Sequence, residues 1–236
     1  MRFVKFIIAV WLLPACAAVT LAAVQVAQSL FTAPGGLTSV PVVAFGVGYG
    51  LWMLIFALLP KPTRTYVLGH ELTHAIWALM MGARVGGLKV GKTGGQVKTS
   101  KNNWLITLVP YFFPFYAILF AAVFLLAHMI WGLTNYMWIL FFLVGLGWSF
   151  HVTFTLMILL TVPQPDVKSQ GFIFSGVVIY LINVLVIALT IALLSRPTGF
   201  PTLFQSLGQN FLASYGWTLD KLVALWHSLA SHVFHS

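Results

Sequence analysis

Carboxylates are what this 236-residue chain has least of: Glu71, Asp166 and Asp220 are its entire acidic complement. Charged residues of both signs amount to 6% of it and hydrophobic residues to 60%, whereas a soluble globular domain carries about 25% charge. That shortage excludes a soluble enzyme and leaves a polytopic membrane protein, all-α in class. Cysteine is confined to Cys16, which excludes a disulfide framework and a cysteine-ligated metal. No tandem or inverted repeat is evident, which argues against a transporter built from duplicated halves. The net charge of +9 would suggest nucleic acid in a soluble protein. Here the Lys and Arg residues flank apolar runs, a placement that suits lipid headgroups.

Against so few acids, the position of each one is informative. The single glutamate of the chain lies in Gly69-His70-Glu71-Leu72-Thr73-His74, inside an apolar helical run. Random placement of seven histidines around one glutamate would produce this H-E-x-x-H pattern in roughly one such sequence per thousand. On a helix, positions four apart stack on one face, so His70 and His74 present two imidazoles to a common point with Glu71 beside them. Two neutral imidazoles suit Zn2+, and an adjacent carboxylate that is not a ligand can act as general base toward water. An ionisable residue in a membrane segment is costly, which favours a functional role over a silent one.

Taken in order, the periodicity predicts about six transmembrane helices. Residues 1–30 form a first span; the box at Leu13-Pro14-Ala15-Cys16 resembles a lipoprotein cleavage site, but the apolar run continues well past it. A second span covers 41–59, with Gly46, Gly48 and Gly50 as a small-residue packing face. The H-E-x-x-H helix is expected over 66–81, capped by Thr63 or Thr65 and ended by Gly82. Residues 84–100 alternate apolar and basic positions around Gly-Gly turns, which predicts a small β-hairpin at the membrane surface. The run 104–131 is interrupted by Pro110 and Pro114, so it is kinked or re-entrant at its start. Two further spans are expected over 135–162 and 172–194. The last stretch, 218–233, spaces Leu219, Leu222, Val223 and Trp226 as an amphipathic helix lying in the interface, with His227, His232 and His235 solvated. The domain reading is therefore two N-terminal helices (1–60), a metalloprotease-like core (61–195) and an interfacial tail (196–236).

A catalytic zinc needs a third protein ligand, and two residues compete for the place. Asp166 follows the second of the two runs after the hairpin, which returns it to the hairpin's face of the membrane if each run crosses once. Pro163 and Pro165 stop the preceding helix and let that loop dip inward. His151 is the rival, since it lies about as far from the end of its helix as His74 does from the end of its own. Thr73, Ser149, Thr153, Gln164 and Gln170 are candidates to line a water-containing site.

With these pieces named, the chain resembles the site-2 protease family of intramembrane zinc metalloproteases, including its compact bacterial members. The likeness covers roughly residues 64–175. It runs from the H-E-x-x-H helix through Met80-Met81-Gly82-Ala83-Arg84-Val85, into Thr93-Gly94-Gly95-Gln96-Val97-Lys98, which is similar to the family's Gly-Gly-Tyr-Val-Lys hairpin. It ends at Val162-Pro163-Gln164-Pro165-Asp166, similar to its proline-rich approach to a metal-binding Asp. Where the family usually has Asn before the prolines this chain has Leu160-Thr161, and where it has Gly after the Asp this chain has Val167. The resemblance implies Zn2+ at His70, His74 and Asp166, and Glu71 as the base. It also implies a cytoplasmic hairpin, in a bacterial cytoplasmic membrane, whose Gly94, Gly95, Gln96 and Val97 bind an unwound substrate transmembrane helix as an added strand.

Two functional classes follow. One is a zinc-dependent intramembrane endopeptidase acting on membrane-protein substrates within the lipid bilayer, with no nucleic-acid partner. The other is a non-catalytic membrane protein on the same fold, either a binding or chaperone-like module or a transporter.

Overall fold

The architecture was obtained as a computed structural model in which residues 2–91 and 94–234 are described, as are their side chains up to residue 230. Thr93 and His235, and the His232 side chain, lie outside that description. The elements in chain order are α1 (Arg2–Thr32), α2 (Val40–Leu58), α3 (Thr63–Met80), β1 (Val85–Val90), β2 (Gly95–Thr99), α4 (Trp104–Leu108), α5 (Phe115–Trp131), α6 (Met137–Thr161), α7 (Pro165–Gln170), α8 (Phe172–Leu194) and α9 (Gly199–Phe234).

Among the described residues, four helices are long and apolar enough to cross a membrane: α1, α2, α6 with the turn before it, and α8. A fifth span results if α4 with its following turn and α5 are taken together, although they meet at a bend of 81°. That bend is the interruption expected at Pro110 and Pro114. The histidine helix α3, one of the six spans expected, is not in this set. Arg64, Glu71 and two histidines within eighteen residues lower its hydropathy.

The chain divides into two compact units. The first comprises 1–36 and 176–236, and its core is Ala22 and Val26 of α1, Ala188 and Ala192 of α8, and Leu203 of α9. Asn210 donates to the Gln25 side chain at 2.7 Å, and the Tyr215 hydroxyl donates to the Trp11 carbonyl at 2.7 Å. Ahead of the interfacial helix expected over 218–233, the tail thus forms a helix pair with α1. The helix begins at Gly199, well before the expected 218; a side chain at position 199 would strike the Ala192 backbone of α8, and Leu203 is fully buried. At its far end Leu219, Leu222, Val223 and Trp226 are exposed.

The second unit, 37–175, contains the candidate site. Helices α2 and α6 pack along each other through glycine: a methyl at Gly48 would strike the Phe142 carbonyl, and one at Gly145 the Phe45 carbonyl. Gly46 and Gly50 meet nothing within 4 Å, so only one of the three glycines expected on that face is used. Gly147 also brings α6 against the backbone of Ala117 on α5, where a Cβ would lie 2.6 Å from the Ala117 nitrogen. Between these helices Trp52, Tyr66, Phe150 and Phe154 form an aromatic cluster, with Tyr66 stacked on Phe154 at 5.0 Å. This cluster backs the first turn of α3 and fixes the direction in which its histidine face points.

Helix α3 starts at Thr63 directly after Pro62, with no side-chain cap from either threonine. It ends as expected at Gly82, whose φ of 69° is left-handed, and the Ala83 N–H closes onto the Ala78 carbonyl at 2.9 Å. The hairpin follows. Strands β1 and β2 are antiparallel, with Leu88 opposite Val97 and Val90 opposite Gly95, and both pack on α3.

Candidate metal centre

The geometry begins with helical spacing and is completed by two distant segments. His70 and His74, one turn apart on α3, bring their Nε2 atoms to 3.2 Å. Asp166 Oδ2 lies 3.5 Å from His70 Nε2 and 3.4 Å from His74 Nε2. Among the described residues these three are the group able to hold a metal ion. His151 is buried on α6 and stands outside the set; it borders a small space behind His70 together with Thr73 and Tyr116.

Two of the three donors, Asp166 and His74, are oriented by other segments. The stretch 163–171, expected as a loop, forms the short helix α7, with Pro165 at its first position and Asp166 in its first turn. Its closing residue, Gly171, has a φ of 97°. Burial pushes the Asp166 carboxyl up, but the two imidazoles against it more than offset this and hold it well below the usual carboxylate range.

His74 Nδ1 lies 2.7 Å from the Ile106 carbonyl, which can only accept, so Nδ1 carries the hydrogen and a neutral ring has its lone pair on Nε2, facing Asp166. That carbonyl is free for a reason written in the sequence. Its helical donor would be the N–H of residue 110, and residue 110 is proline. The Asn103 side chain caps the same short helix by accepting the Ile106 N–H at 2.9 Å. The bent segment therefore meets the site in a way that the sequence reading did not assign to it, and Pro110 four residues after Ile106 was its signal.

Glu71 is buried, 7% exposed, beside both imidazoles. The hairpin covers it: a Cβ on Gly95 would lie 2.6 Å from Glu71 Cγ and 2.9 Å from its Oε1, and the Val97 N–H faces the carboxylate. Only a residue without a side chain allows β2 this close. His70, His74, Asp166, Glu71 and residues 94–97 line one open cavity of about 690 Å3, so the hairpin residues named from the sequence border the three candidate metal donors. Of the five polar residues expected to line it, Gln164 does so. Thr73 and Thr153 instead donate to carbonyls of their own helices, Gly69 and Ser149. Gln170 donates to the Thr107 hydroxyl, tying α7 to α4.

Comparison with protein-family models, with curated proteins and with solved structures finds no match for this chain.

Proposed function

We propose that this protein is a zinc-dependent intramembrane endopeptidase of site-2 protease type. The observation that carries the reading is the triangle of donors beside a buried carboxylate. Its edges are 3.2, 3.5 and 3.4 Å, and a tetrahedral zinc with bonds of about 2.0–2.1 Å sets its donors about 3.3–3.4 Å apart. Two imidazoles and one carboxylate match the ligand chemistry of hydrolytic zinc, which keeps a fourth position for water or substrate. Bound there, the ion would supply Lewis acidity and lower the pKa of water.

The remaining work falls to the chain. Glu71 accepts the proton of the attacking water and delivers it to the departing amine, a role for which its burial beside the triad suits it. The two-stranded sheet leaves the far edge of β2 along the cavity, where an extended peptide can add as a strand. Such an edge demands a locally unwound substrate, since a closed helix has no free backbone groups to offer. The long apolar helices support a site within or beside a bilayer and, with the resemblance, a bacterial cytoplasmic membrane.

The experiment compares wild type with Glu71→Ala in detergent, measuring bound zinc and cleavage of a model transmembrane substrate. Equal zinc in both, with cleavage lowered by about 10³-fold or more in Glu71→Ala, is the expected result. Equal cleavage in the two proteins would refute the protease reading.

A further inference from the structure

Asp166 is held from two sides. Its Oδ2 faces the two imidazoles, and the same oxygen receives the Tyr111 hydroxyl at 3.2 Å. That hydroxyl also reaches Gln164 Oε1, at 3.3 Å. The Gln164 amide donates to the Val162 carbonyl at 2.9 Å, so its oxygen is the end turned toward the phenol. One hydroxyl proton thus faces two acceptors. Both distances are longer than the about 2.7–2.8 Å usual for O–H···O, as expected when a proton is shared. The charged oxygen is the stronger acceptor of the two.

The two partners differ in how firmly they are held. Tyr111 has no exposed surface and sits in the turn Val109–Tyr111, itself wholly buried, with its ring edge-on to His70 at 5.2 Å. Asp166 rides on a helix of six residues, and its side chain is 30% exposed. A carboxylate on so short an element has rotamers to lose on binding an ion, and a fixed donor removes that cost beforehand.

We propose that Tyr111 is a positioning residue whose hydroxyl holds the Asp166 carboxylate in the orientation that completes the metal triad. The affinity for the ion then depends on the phenol, and the reaction does so only through the ion. This inference rests on the metal-site reading above.

The test titrates Zn2+ alone against a chromophoric chelator, using the full-length protein in detergent. Tyr111→Phe keeps the ring and its burial and removes the shared hydroxyl donor; it weakens zinc binding about 10–100-fold and leaves kcat at saturating zinc unchanged. Gln164→Leu removes the competing acceptor and binds zinc at least as tightly as wild type. Unchanged zinc affinity in Tyr111→Phe overturns the inference, as does a lowered kcat at saturating zinc, which would place the phenol on the reacting substrate. A loss in Gln164→Leu as large as in Tyr111→Phe overturns it too. His70→Ala separates this from the underlying reading: zinc bound equally by His70→Ala and wild type sinks the metal site itself.

Discussion

Gly95 and Glu71 show how little freedom the site has. The glycine lies against the carboxylate so closely that one methyl group would have to displace either the hairpin or the base. Gly95→Ala is accordingly expected to lower substrate cleavage by about 10²-fold, the usual cost of misplacing a catalytic group by roughly an ångström. Zinc stoichiometry stays at the wild-type value, because no ligand touches the hairpin at that point. Gly87→Ala, on β1 and outside the cavity lining, is the control, since a Cβ there meets nothing within 4 Å. A parallel loss in both variants, measured on the same substrate, would show that the hairpin is merely intolerant of alanine. Among single residues, the H-E-x-x-H triplet and the choice of Asp166 were legible in the sequence because they are rare polar groups at a spacing with chemical meaning. The direction of Tyr111 was not, since a tyrosine in an apolar run gives no sign of which carboxylate its hydroxyl meets.

The bent segment, from α4 through the turn at Val109–Tyr111, does for the metal-facing donors what the histidine helix cannot do alone. It presents the Ile106 carbonyl to His74 and the Tyr111 hydroxyl to Asp166, so one short element orients two of the three donors. Pro110 makes the first contact available by withholding an N–H from Ile106. Pro110→Ala supplies that donor, which competes with His74 Nδ1 for the carbonyl. Zinc affinity is expected to drop about tenfold, within the range for loss of an outer hydrogen bond, as read by chelator competition, while helical content by circular dichroism holds or rises. Undiminished affinity would mean that the proline only bends the chain. Prolines 110 and 114 announced the bend itself. The use of the freed carbonyl depended on α3 lying alongside, a long-range contact on which local sequence is silent.

For the molecule as a whole, the sign of the Asp166 shift sets how it responds to acid. A carboxylate held below its usual range stays ionised through mild acidification, and its contribution is lost only as the pH falls past the ordinary carboxylate region near about 4. Burial lowers both imidazoles, but Asp166 more than offsets this at His74 and not at His70. Between about pH 6 and pH 4.5, release of zinc is expected to take up about one proton per ion, on the His74 ring. The measurement is zinc affinity against pH, and a slope near three in that window would place the His70 and Asp166 titrations there as well. Segregation of apolar runs, the bend at two prolines, the hairpin and the histidine ridge follow from composition and spacing, because each depends on neighbours within a few positions along the chain. Other features could come only from folding: the pairing of α9 with α1, the single working glycine of α2, and the meeting of residues 70, 74, 106, 111 and 166. Those contacts join segments tens of residues apart, and which faces meet is decided by how helices of nearly equal apolarity pack, a choice that hydropathy alone does not encode.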